Sequence, residues 1–348
     1  MPDTYPPPVP VRAGAGSAGA AAPVTATARA ARPGPARPGP ARPGRARGGR
    51  GRPGKAVRPW LLLAPALIVL ALLLVWPLIR VVQLSLQDYG LEQIVSGKDN
   101  YIGLDNYANL LSSSLLWQTV LPNTVVFAAV CVVGTVVLGT LVALLLNMLG
   151  PTWKWICSTA VMVAWAVPAL TGTYVWVWLF DPFDGLMSKL MAGLGLIDPA
   201  TSNWFTDRVG FYSIAALNVI HQGFPFVAIT VLAGLTTVPK ELYESAEIDG
   251  AGAATRFWAI TVPLLRPVFA VVTILSTIWD FKVFTQIYLM PGGSGGNDDV
   301  LNLGVWSYLQ SFAQGAYGKG SAIAVLLTVI LLLITGVYLR TLFKEREL

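Results

Sequence analysis

Six apolar stretches, each long enough to cross a bilayer, constrain this chain more than any other feature. They run near Trp60–Leu84, Thr119–Leu149, Ile156–Phe180, Phe211–Thr236, Val262–Met290 and Ala322–Leu342. A spanning helix needs about 20 mostly apolar residues, and the longer runs tilt or extend along the interface. Inside lipid every backbone polar group must be satisfied within a helix or a closed barrel, and the alternation of barrel strands is absent here. The expected fold is therefore all-α and integral to the membrane. It has six transmembrane helices over residues 60–345, with a tail at 1–59. A 348-residue chain that is 54% hydrophobic and only 12% charged agrees with that class.

Charge sets the expected orientation. Residues 12–58 carry eleven Lys/Arg and no acid, within "ARPGPARPGPARPGRARGGRGRPGK". Such a Pro/Gly/Arg/Ala mixture cannot bury a core, so this basic segment reads as disordered. It lacks the interleaved aromatics of a nucleic-acid binder and adjoins a span, which favours a topology signal that also meets anionic lipid headgroups. Its length argues against a cleavable leader. With six spans both termini share a side. That side holds the basic residues from Arg45 to Arg58, Lys154, Lys240, Arg256, Arg266, Arg340, Lys344 and Arg346, against Arg80, Lys98, Lys189, Arg208 and Lys319 opposite. The positive-inside rule then places the termini, and the segment 237–266, in the cytoplasm.

Catalytic signals are scarce. "GAGSAG" at Gly14–Gly19 matches a dinucleotide-binding pattern without its strand and helix. "GAYGKGS" has Lys319 followed by Gly320 rather than Ser or Thr, so no phosphate-binding loop forms. His221, the single histidine, has no Cys or His partners for zinc. Cys131 and Cys157 read as packing residues rather than a disulfide or metal pair. An enzyme, or a cofactor bound by this chain, is not expected.

The most charged apolar-flanked segment is "ELYESAEIDGAGAATRFWAITVPLLRP", Glu241 to Pro267. Leu242 and Ala246 fall on one helical face, with Glu241, Glu244 and Glu247 mostly on another. Gly250 can end that helix in the left-handed conformation. A second helix follows through Phe257, Trp258 and Ile260, and Pro263 and Pro267 mark the return to the bilayer. Such a helix–turn–helix cannot span. It is either a surface knob for a cytoplasmic partner or a connecting amphipathic helix with none.

"ESAEIDGAGAATRFWAITVPLLRP" resembles the EAA motif of binding-protein-dependent ABC transporter permeases, in its maltose-type carbohydrate importer form. Glu244-Ser245-Ala246, Asp249-Gly250-Ala251, Phe257, Ile260, Pro263 and Pro267 occupy the pattern positions, with Ser245 for alanine and Val262 for leucine as mild departures. "LAPALIVL", "IGLDNYANLL", "VPALTGTYVWVWLFDPFDGLM", "AGLTTVPKELYESA" and "WDFKVFTQIYLMPGG" resemble further stretches in order, the last favouring the MalF-like subunit. The resemblance implies a multi-pass bacterial cell-membrane permease whose coupling loop, through Glu241, Glu244, Ser245, Ala246, Asp249, Gly250, Ala251, Phe257 and Pro263, sits in a separate ATPase. It also implies a second homologous permease, two ATPase subunits that bind ATP and Mg, and an extracytoplasmic solute-binding protein. The substrate implied is a sugar; no nucleic acid is expected.

Polar groups within spans usually face a bundle interior or a wet cavity. The fourth span holds Asn218, His221 and Gln222 just before Pro225, a residue that should kink the helix. The fifth holds Trp279, Asp280, Lys282, Phe284, Gln286 and Tyr288, with Trp279, Lys282 and Gln286 on one helical stripe. An aromatic face beside hydrogen-bonding groups suits a sugar, whose ring has apolar C–H faces and hydroxyl rims. Interhelical packing is the other reading, and the residues alone do not separate the two. Trp176 and Trp178 read as interfacial anchors. Two rivals stand beside the importer: an ion-coupled secondary transporter or channel using Asp280, Lys282 and His221, and a membrane-embedded glycosyl-transfer enzyme.

Overall fold

The computed structural model describes residues 57–198 and 203–346. The basic segment discussed above lies outside them up to residue 56; the first helix begins at Val57. From Leu61 onward the chain forms one compact unit. Among the described residues there is no strand, only an isolated bridge between Gln87 and Tyr101.

Among the described residues five helices are long and apolar enough to cross a membrane. They are α1 (Leu63–Ser85), α4 (Leu116–Met148), α8 (Arg208–Leu235), α11 with α12 (Arg266–Phe281 and Thr285–Leu289) and α14 (Tyr317–Arg346). Short helices lie between them: α2 (Leu91–Ser96) and α3 (Asp105–Ser112) after α1, α7 (Leu186–Gly193) before α8, and α13 (Leu303–Tyr308) before α14.

The third expected span differs. Instead of one rod over Ile156–Phe180, α5 (Pro151–Trp165) and α6 (Ala169–Leu179) meet at 90°. The break falls at Pro168, which has ψ 138°, disfavours the helical region at the residue before it and has no N–H to offer. Helix α8, in contrast, runs through Pro225 without interruption. The proline still removes the bond that the His221 carbonyl would accept.

The centre of the bundle is the α4–α8 pair. A Cβ at Gly139 would lie 2.6 Å from Val227 and 2.9 Å from the Phe224 carbonyl oxygen, so only glycine lets the two backbones approach this closely. The apolar core falls into two clusters. One gathers Phe127, Phe211, Ile214, Ile287 and Leu303; the other gathers Ala143, Val227, Val231, Leu265 and Val272, towards the α8–α11 connection. Between them the helices change character: Thr135 on α4, Gln222 and Gly223 on α8, and Ser276 and Asp280 on α11 form a polar middle layer. Cys131 is buried in the first cluster and Cys157 packs against the second, both as free thiols.

At the far end, the segment after α12 is pinned by asparagines. Asn123 Nδ2 donates to the Asp299 and Leu301 carbonyls at 2.9 and 2.8 Å. Asn302 caps α13 by accepting from Val305 N–H at 2.8 Å and donates to the Val283 carbonyl at 2.8 Å. That last bond satisfies a backbone group freed where the fifth span breaks. Along most of α1 the apolar side chains stand open, Leu73 at 69% exposure among them. A soluble protein does not tolerate such a face, whereas lipid or another apolar helix covers it without penalty.

Candidate functional site

Two features carry chemistry: the turn between α8 and α11, and a cavity in the polar middle layer. In the first, α9 (Lys240–Ile248) follows Pro239, with Glu241 in its first turn where the helix dipole favours an acid. Its end is a Schellman motif: Gly250 takes φ +80°, its N–H donates to the Glu247 carbonyl at 3.0 Å, and Ala251 N–H donates to the Ala246 carbonyl at 2.8 Å. The chain then returns as α10, a helix over 253–264 widened by a π turn at Phe257–Thr261.

Two side-chain contacts bind these arms. Tyr243 Oη and Thr261 Oγ1 lie 2.9 Å apart, with Thr261 buried. Arg256 donates to Glu247 at 3.0 Å across the turn, a contact open to water and so of modest worth. The base of the loop is seated through Val238, Tyr243, Ile260 and Leu265 in the second apolar cluster. Its tip is open: Glu241, Glu244, Ser245, Asp249 and Gly250 are exposed, Ala246 and Ala251 half-buried, and Ile248 stands 87% exposed between acids. Phe257 and Pro263 are not at the tip. Phe257 lines an apolar groove of about 600 Å³ with Val136, Thr140 and Phe269, and Pro263 is exposed on the returning arm. The Tyr243–Thr261 tie has no sequence signature; only the fold brings them together.

The second feature is a cavity of about 440 Å³ lined by Trp165, Gln222, Gly223, Trp279, Asp280, Lys282, Phe284, Thr285 and Gln286. The stripe expected of Trp279, Lys282 and Gln286 does not exist as such, because α11 ends at Phe281 and α12 starts at Thr285. The break itself turns Lys282, Phe284 and Gln286 onto one cavity. Gln286 Nε2 donates to Gln222 Oε1 at 2.8 Å, and Gln222 Nε2 reaches the Val167 carbonyl at 3.5 Å. These amides thus link both broken spans through α8. Asp280 is 7% exposed, and its Oδ2 has no hydrogen-bond partner. Among the described residues no ion pair joins it to Lys282, whose side chain is exposed.

The other sequence candidates lie elsewhere. Asn218 is buried and donates to Thr173 Oγ1 at 3.2 Å, so the cluster Asn218–His221–Gln222 is divided between neighbours. His221 faces Trp176 and Phe224, with ring centroids 5.8 and 6.1 Å away. Trp176 stacks on Phe180 at 5.7 Å and packs against the core, whereas Trp178 is exposed. Tyr288 stacks on Phe284 at 5.0 Å.

Comparison with known proteins agrees with this architecture. Residues 135–347 match the family model described as "Binding-protein-dependent transport system inner membrane component". The diacetylchitobiose uptake system permease protein DasB of Streptomyces coelicolor is 37% identical over 84% of this chain and 88% of its own. The trehalose/maltose transport system permease protein MalF of Thermococcus litoralis is 32% identical over 81% and 92%. In fold, the chain is similar to a bacterial alginate ABC transporter solved with an alginate pentasaccharide-bound periplasmic protein, with TM-score 0.69, 21% identity, and coverage of 82% and 96%. With most of its length matched by the family model, and relatives above 30% identity covering 84% and 81% of it, this chain belongs to the inner-membrane component family of binding-protein-dependent transport systems.

Proposed function

We propose that this chain is the MalF-like membrane subunit of an ATP-driven carbohydrate importer and forms one side of the translocation path. Its named relatives carry sugars, and the 440 Å³ cavity offers a carboxylate, an ammonium, two amides and two tryptophans, a set suited to hydroxyl rims and C–H faces. The observation that carries the reading is the loop tip: a Schellman-capped helix with Glu244, Asp249 and Ile248 exposed and its base anchored in the core. That geometry suits a rigid knob seated in a cytoplasmic ATPase.

In this reading the termini and loop are cytoplasmic. A second permease completes the path, two ATPase subunits hold ATP and Mg, and a solute-binding protein delivers sugar on the other face. ATP closure moves the knob and with it α8, which ends at the loop, and α11, which begins there. The two ligands, nucleotide and sugar, bias one two-state element. Gln222 and Gln286, bridging both broken spans, and Asp280 contact the sugar; His221 and Asn218 hold the helices that frame it. The test is purification of the assembled transporter followed by ATPase assay with diacetylchitobiose, trehalose and maltose. The reading expects sugar-stimulated ATP hydrolysis, with uptake insensitive to ionophores. Uptake that collapses with the ion gradient and needs no ATPase would instead identify an ion-coupled transporter.

A further inference from the structure

Phe284, on the cavity wall, is also the first of a row of aromatic rings. Phe284 and Tyr288 stack with 16° between their planes, and both face Tyr308 on α13, at 5.1 and 5.2 Å. Tyr308 meets Phe312 at 4.9 Å, Phe312 meets Tyr317 at 6.1 Å, and Tyr317 meets Tyr89 at 6.4 Å. Six rings thus form an unbroken row from the cavity to the end of the bundle away from the 240–264 loop. The row is most open in its middle: Phe284 and Tyr288 are half-buried, Tyr308 is 37% exposed, Phe312 66%, and Tyr317 and Tyr89 are again half-buried.

Four of the six rings also carry a hydroxyl. Tyr107, Tyr212, Tyr243 and Tyr338 each hydrogen-bond to the protein. The hydroxyls of Tyr89, Tyr288, Tyr308 and Tyr317 bond to no described residue. None of these four hydroxyls is buried, so the row presents ring faces and accessible hydroxyls together. A pyranose offers the complement of both, C–H faces for the rings and hydroxyls for the phenols. A lipid chain or a buried helix needs the rings alone.

We infer that the row Tyr89–Tyr317–Phe312–Tyr308–Tyr288–Phe284 is a stacking track. It receives successive sugar units of an oligosaccharide and hands the leading one to the Asp280 cavity. The inference rests on the carbohydrate reading above. It adds that the chain handles extended oligosaccharides, and that four residues outside the fifth span determine length preference.

The test uses the assembled transporter without its solute-binding protein. Equilibrium binding of chitin-series and maltose-series disaccharides and tetrasaccharides is measured for the unsubstituted complex, Phe312→Leu, Tyr308→Leu and Tyr308→Phe. Leucine keeps apolar volume and removes the stacking face; phenylalanine keeps the face and removes the hydroxyl. Each leucine variant is expected to raise the tetrasaccharide Kd about two- to tenfold and the disaccharide Kd less, with Tyr308→Phe between. ATPase stimulation by the liganded binding protein should persist, which reports an intact fold. Equal Kd values for leucine variants and parent overturn the track alone. Lost stimulation with unchanged sugar binding also overturns it and makes the row a protein-docking face. An unsubstituted complex that binds neither sugar series overturns the carbohydrate reading and this inference together.

Discussion

Gly250 offers the sharpest quantitative test of the loop. It holds φ +80°, and a Cβ there would meet nothing within 4 Å. A substitution therefore acts through backbone conformation alone, with no clash to confuse the reading. For a residue with a side chain the left-handed region costs about 1–2 kcal/mol, equivalent to a factor of roughly 5–30 in population. Gly250→Ala should thus speed hydrogen exchange of the Gly250 and Ala251 amides, which close the cap at 3.0 and 2.8 Å, by about that factor. Gly250→Asn should show a smaller rise, since asparagine tolerates the left-handed region better. Gly250→Pro cannot adopt the angle and loses the donor to Glu247, so it should unfix the turn entirely. Membrane insertion is untouched, because the loop lies between spans. Exchange mass spectrometry supplies the local reading and vesicle uptake the functional one, with the order Gly, Asn, Ala, Pro expected in both. Normal exchange and uptake in Gly250→Pro would refute the claim that the cap fixes the knob.

Other consequences follow from single contacts. Glu244→Lys reverses a charge at the exposed tip and should abolish uptake with normal membrane abundance, measured by transport and immunoblot. Asn123→Ala removes two buried bonds to the Asp299 and Leu301 carbonyls; thermal denaturation in detergent should show a loss of about 2–4 kcal/mol. Gly139→Leu forces α4 and α8 apart at a 2.6 Å approach; folded yield by size-exclusion chromatography should collapse, as overpacking of a tight pair predicts. Asp280→Asn removes a buried carboxylate with an unpartnered oxygen, so thermal stability should rise or hold while sugar binding weakens; stronger sugar binding would remove Asp280 from the path.

How much of this was legible follows from where each cause lies. Gly250 could be read because a left-handed cap needs glycine and the apolar spacing places it two residues beyond the helix, just past its C-cap Asp249. Pro168 also announced the bend between α5 and α6, but an apolar run spanning it masks a proline break. The fifth-span break has no glycine or proline at Lys282–Phe284. It is stabilised from 19 residues away, where Asn302 takes the Val283 carbonyl, and no local pattern carries that information. Polar residues in the spans were legible as a set, since their burial is costly, but their partners were not. Asn218 and Gln222, one turn apart, bond to α6 and α12 respectively, a division decided by helix packing alone.

The central claim is that the exposed tip around Ile248 sits in an ATPase subunit, and a photo-crosslinker placed at Ile248 tests it most directly. In native membranes the account predicts a crosslink from this position to a nucleotide-hydrolysing subunit, with a yield that changes when ATP is trapped. Crosslinks to lipid only, with no hydrolase attached at that position under either nucleotide condition, would contradict it.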